Sequence, residues 1–198
     1  MTRNLKRPNL KRLAALSAAA VAIAWSGSAA AQSEGGSDTD TKNFAVVGNV
    51  PAMCVGGTLA GTGATFDMGV LIDLNTGLLR NDLVAPPKIL SGSFCSARST
   101  ITVNATAMAA QTFTSTPPAG FSRVVNYTAT ASGWTTTPAA FVTGAGSNPA
   151  AVQTRGTAFS GDITVSVGSF ATAGGAAQRL VADTNYQGNV TVTLAVAS

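Results

Sequence analysis

From Ile101 to Ala107 apolar and polar residues alternate without a break: Ile101, Val103, Ala105 and Ala107 fall on one face, Thr102, Asn104 and Thr106 on the other. A period of two puts one face on a core and the other in water, the pattern of a half-buried β-strand. Just before it, the run Ile89–Cys95 ends in one of only two cysteines. The alternation returns at Val124–Ala131, with Val125, Tyr127 and Ala129 on one face, and at Asp162–Val167, with Ile163, Val165 and Val167 inward. It is cleanest near the end, where Val190, Val192, Leu194 and Val196 oppose Thr191, Thr193 and Ala195. Seven or eight short strands separated by turns, with no amphipathic helix after residue 31, predict an all-β antiparallel sandwich.

The N-terminus places that sandwich outside the cytoplasm. Met1–Arg12 carries Arg3, Lys6, Arg7, Lys11 and Arg12 and no acid, Leu13–Trp25 is apolar, and Ser26–Ala31 is small-residue and ends in three alanines. This is the pattern of a secretory signal peptide cleaved after Ala31, and its apolar core is too short for the roughly 20 residues that cross a bilayer. Periplasm, cell surface or extracellular space is therefore the expected location, with no transmembrane segment in the mature chain. Five of the 12 basic residues lie in this leader, which leaves seven against eight acids and a net charge of −1 for residues 32–198. No Lys/Arg cluster remains to bind nucleic acid. In an exported chain Cys54 and Cys95 read as one disulfide, worth about 4 kcal/mol on the loop-entropy model; two buried thiols are the alternative.

In chain order, residues 32–43 form a polar leader expected to be flexible, and the sandwich domain is expected over residues 44–198. Phe44, Val46, Gly48 and Val50 alternate as a first strand, stopped at Pro51. A glycine-rich turn over residues 56–63 follows, then strand character around Phe66, Met68, Val70 and Ile72. A turn at Asn75-Thr76-Gly77 leads into a loop over residues 78–87 ending in Pro86-Pro87. Further turns or loops are expected at Pro117–Gly120 and over residues 144–149 and 171–177. Weaker strands are expected at Phe141-Val142 and over residues 178–182.

Catalytic chemistry is hard to find. The chain contains no histidine, which removes the commonest general base and the usual zinc and copper ligands. Asp67 and Asp73 are the candidate acid pair, but each sits beside a turn signal, where aspartate bonds its own backbone. Glu34, Asp38 and Asp40 lack the ligand spacing of a calcium loop. No catalytic residue, metal or cofactor is expected. Trp134, near Tyr127 and Gly133, could offer an aromatic platform to a sugar, though packing is the commoner role of such a residue. Asn104, Asn126 and Asn189 each open an Asn-X-Thr triplet inside a strand, where the triplet carries no weight.

Three stretches resemble the spore coat protein U family, whose fold is similar to fimbrial (pilin-like) subunits of the chaperone–usher system. They are Phe44–Val50 running into Cys54, Phe94-Cys95 followed by an alternating strand, and Asn185-Tyr186-Gln187-Gly188-Asn189 leading into the terminal Val/Thr strand. Phe66-Asp67-Met68-Gly69 matches a Phe-Gly element of that family with two residues inserted. The resemblance implies an incomplete immunoglobulin-like sandwich whose open groove takes first a periplasmic chaperone's strand and then the next subunit's, by donor-strand complementation. Val190, Val192, Leu194 and Val196 would line that groove. Residues 32–43 have no apolar residue to donate, so either Phe44, Val46, Gly48 and Val50 are the donated strand or the chain does not donate in this way. The expected function is a non-enzymatic assembly subunit of the cell surface, with other subunits, a chaperone and an usher as partners. The alternative is a self-contained secreted binding module, an adhesin or carbohydrate binder.

Overall fold

The computed structural model describes residues 41–61 and 63–198. The stretch expected to be a signal peptide, most of the polar leader, and Glu34, Asp38 and Asp40 lie outside the described residues. The chain divides after Val46, and residues 47–198 form one unit.

Within that unit the alternating runs become strands. These are β1 (Cys54–Val55), β2 (Thr58–Ala60), β3 (Lys88–Cys95), β4 (Ser99–Ala110), β5 (Phe121–Ser122), β6 (Val124–Ser132), β7 (Ala139–Val142), β8 (Val152–Arg155), β9 (Phe159–Thr172), β10 (Arg179–Leu180) and β11 (Tyr186–Val196). One curled antiparallel sheet runs β1-β3-β9-β6-β4-β11, with β2 on β3, β7 on β6 and β8 on β4. The sheet folds over where β4 meets β6, a junction of just two residue pairs, Met108 with Val125 and Ala109 with Val124. On either side of that crease lie two layers, β2/β1-β3-β9-β6-β7 and β8-β4-β11, so the fold is all-β and sandwich-like. β5 and β10 add a small parallel pair outside it.

The core fills the space between the layers with the inward residues of the alternation. Ile101 and Val103 of β4, Ala129 and Ala131 of β6, and Ile163 of β9 are all at most 1% exposed. Cys54 and Cys95 form the disulfide, joining directly opposed positions of β1 and β3 with Cα atoms 4.1 Å apart. Trp134 is completely buried, edge-on to Phe159 with centroids 5.2 Å apart, and its Nε1–H donates to Ser99 Oγ at 3.2 Å. Its position excludes a sugar platform at that residue: the indole is core.

Three expectations need correction. Phe44–Val50 forms no strand: residues 41–53 have no regular structure, and Phe44, Val46, Val47 and Val50 are 82–97% exposed. A segment becomes a strand only beside a hydrogen-bonding neighbour, and among the described residues this one pairs with no strand. The stretch around Phe66–Ile72 also stays irregular apart from an isolated bridge between Ile72 and Leu79. Its aspartates spend themselves on turns instead. Asp67 Oδ1 accepts from Gly69 N at 2.9 Å, and Asp73 Oδ1 from Asn75 N at 2.8 Å and Thr76 N at 3.1 Å. The glycine-rich stretch, conversely, is not all turn: Thr58–Ala60 is an edge strand on β3. At Gly57, φ is +72° and a Cβ would lie 2.5 Å from Ser91 O, so only glycine lets the chain pass so close.

Candidate functional site

β11 is the end of the sheet. Ten of its residues pair with β4, from Tyr186 opposite Ala110 to Val196 opposite Ser99, and among the described residues no strand pairs with its other edge. That free edge presents a row of backbone donors and acceptors. Its inward side chains are less covered than those of β4: Val190, Val192 and Leu194 pack on the core but stay half-exposed, beside Ile101 and Val103 at 0–1%. The core is thus less fully covered along the β11 side than along β4.

Two clefts lie near the start of β11. A cleft of about 280 Å³ is lined there by Phe66, Met108, Tyr127, Val167, Phe170 and Val190, among others. A second of about 660 Å³ shares Phe66, Met68 and Met108 with it and extends over Val70 and Leu180. The cleft's far wall is the irregular stretch after Gly63, with Phe66 held under the Lys88 ammonium 5.8 Å from its ring. β1 also comes within 8 Å of β11, Cα to Cα, without pairing with it.

Two β-bulges shape this cleft. Opposite Gly188, the register moves from Gln187–Ala109 to Asn189–Thr106, so β4 carries one extra residue. The slip turns Met108 into the core in place of the expected Ala107. A Cβ on Gly188 would lie 2.6 Å from Thr106 O, which is why the residue facing the bulge is glycine. In β9 the register moves from Asn126–Ala171 to Thr128–Gly168, with Ser169 at φ +51°. That bulge brings Phe170 beside Tyr127, ring centroids 6.0 Å apart. The Tyr127 hydroxyl donates to Asn189 O at 3.1 Å, tying the cleft floor to β11, and burial pushes its pKa above the usual tyrosine value.

Asp183 fixes the cleft's outer end. Its Oδ2 accepts from the N–H of Thr112 and of Phe113, each at 2.8 Å, and its Oδ1 from Asn185 N at 2.8 Å. These bonds, that from Phe113 foremost, hold its pKa at about 2. The Tyr186 hydroxyl donates to Val181 O at 2.8 Å across the same turn.

Of the four residues expected to line a groove, the structure brings only Val190 to the cleft. Val192 and Leu194 continue the half-exposed row, and Val196, 41% exposed, lies at the far end. Phe66, Met108, Tyr127 and Phe170 were not expected there. A glycine inside a strand pattern, as at Gly188 and Gly168, is the signal that marks both bulges. The arrangement is apolar with unpaired backbone beside it, and the described residues contain no group of three or more His, Cys, Asp or Glu side chains that could hold a metal. No family model matches the chain, nor does any curated protein or solved structure.

Proposed function

We propose that this chain is an exported, non-enzymatic assembly subunit of the cell surface that takes an extended apolar strand onto the free edge of β11. One observation supports the reading: the same chain carries a strand edge unpaired among the described residues and an exposed apolar segment. The receiving half is β11, with its unpaired edge and the cleft over Tyr127 and Phe170. The giving half is Phe44–Val50, whose alternating Phe44, Val46 and Val50 are exposed without a strand partner. Large apolar side chains left in water at this period are costly unless a partner covers them, at about 1.5–3 kcal/mol each when fully buried. The resemblance to spore coat U and fimbrial subunits supports the same reading, with a chaperone holding the edge until the next subunit arrives.

Strand addition supplies affinity through backbone hydrogen bonds and register through alternate side chains. Gly48 between Val46 and Val50 gives the donated strand one position with no side chain to seat. The test is sedimentation of the exported chain from its own envelope. The expected result is a ladder of multimers for the natural chain and monomer for Val46→Asp. A natural chain that sediments as monomer alone, with its export partners present, would overturn the proposal.

A further inference from the structure

The loop between β4 and β5 reads Gln111-Thr112-Phe113-Thr114-Ser115-Thr116-Pro117-Pro118-Ala119-Gly120. Hydroxyl residues running into prolines are the composition of O-glycosylated segments. Its geometry is more specific than its composition. The base is fixed: Gln111 N donates to Asn185 O at 2.9 Å, Asp183 takes the next two N–H groups, and Phe113 is half-buried. The Arg123 guanidinium donates to Thr114 O at 2.8 Å, and Phe121 N to Pro118 O at 3.1 Å. Between these anchors Thr114, Ser115 and Thr116 are exposed, outside any helix or strand, and their hydroxyls make no hydrogen bond among the described residues. Among the described residues, five other exposed threonines, Thr58, Thr106, Thr154, Thr191 and Thr193, lie in strands, where the sheet's hydrogen bonds hold the backbone flat; the rest, Thr136 and Thr137 before Pro138 among them, lie outside strands.

We propose that Thr114, Ser115 and Thr116 are acceptors for an O-linked sugar. The donor is a lipid-linked sugar phosphate, the class of activated sugar used outside the cytoplasm, and the catalyst is a separate envelope transferase. The acceptor hydroxyl oxygen attacks the anomeric carbon. The new glycosidic C–O bond forms as the anomeric carbon–phosphate oxygen bond breaks. The lipid phosphate leaves with the bonding electrons, and the hydroxyl proton passes to a base of the transferase. Pro117 keeps Thr116 out of the helical region, so the acceptors stay on an open strip of chain. A sugar here also compensates for a surface of low charge, 10% Asp, Glu, Lys and Arg, that has little electrostatic repulsion to keep it dispersed.

The proposal rests on the export reading, and one experiment separates the two. The chain is purified from the envelope of the organism that makes it. Its N-terminus is sequenced, and the tryptic peptide running from Ser99 to Arg123 is weighed and fragmented. The expected result is a start after Ala31 and a peptide heavier by whole sugar residues, with the excess on residues 114–116 and lost in the T114A/S115A/T116A variant. That variant keeps the natural melting temperature, because the three side chains are exposed and make no hydrogen bond among the described residues. A processed chain with this peptide at its bare mass, or carrying its sugar only elsewhere or phosphate instead, overturns the acceptor proposal alone. A bare chain that retains residues 1–31 overturns both.

Discussion

Asp183 shows how much of this fold's detail rests on single polar groups. With a native pKa of about 2 against an unfolded value of about 3.9, its carboxylate stabilises the folded state fully above pH 4 and loses that effect as pH falls toward 2. Melting curves should therefore show a drop between pH 4 and pH 2 that is smaller in Asp183→Asn, which should also melt lower at neutral pH. An equal acid drop in both proteins would show that the carboxylate is not the anchor. Two further residues report on the cleft floor. Tyr127→Phe removes the bond to Asn189 O and should cost about 1 kcal/mol in a urea titration. Gly188→Ala forces a Cβ against Thr106 O and should cost about 1–3 kcal/mol. A neutral Gly188→Ala would mean that the bulge rearranges freely.

At the scale of elements, β11 and the Phe44–Val50 segment behave oppositely, and periodicity alone does not say why. Both alternate. β11 has β4 beside it and becomes a strand, whereas Phe44–Val50 pairs with no strand among the described residues and remains irregular. Substitution should separate their roles. Phe44→Asp and Val46→Asp should leave the unfolding free energy within about 0.5 kcal/mol of the natural value, since both residues are at least 86% exposed, while abolishing multimers. Val192→Asp should destabilise the domain itself, because Val192 packs on the core. A loss of stability in Val46→Asp would place that segment inside its own domain and contradict its role as donor. This contrast also marks how far sequence reading reaches. The long strands β3, β4, β6, β9 and β11 were legible because each buries one face, and burial is what a period of two records. The edge strand Thr58–Ala60 and β8 were not, since edge strands bury little and leave a weak pattern. The cleft was legible only in outline: Val190 lies on a clean alternation, but Met108 and Phe170 reach the site through bulges that break it.

For the molecule as a whole, the central claim is that this sandwich is left open along β11 and is closed by a strand from another copy. The disulfide between Cys54 and Cys95 staples β1 to β3, and β1 passes within 8 Å of β11 without pairing with it. Its reduction should lower stability by up to about 4 kcal/mol without preventing strand uptake. The most direct measurement is thermal unfolding of the Val46→Asp chain, purified as monomer, with increasing amounts of a synthetic peptide spanning Lys42–Ala52. A ligand that binds only the folded state raises its stability by an amount that grows with ligand concentration over the dissociation constant. The account expects a saturable rise in melting temperature with this peptide and none with a peptide carrying aspartate at positions 44 and 46. An unchanged melting temperature at saturating peptide would mean that β11 offers no receiving edge, and would contradict the account.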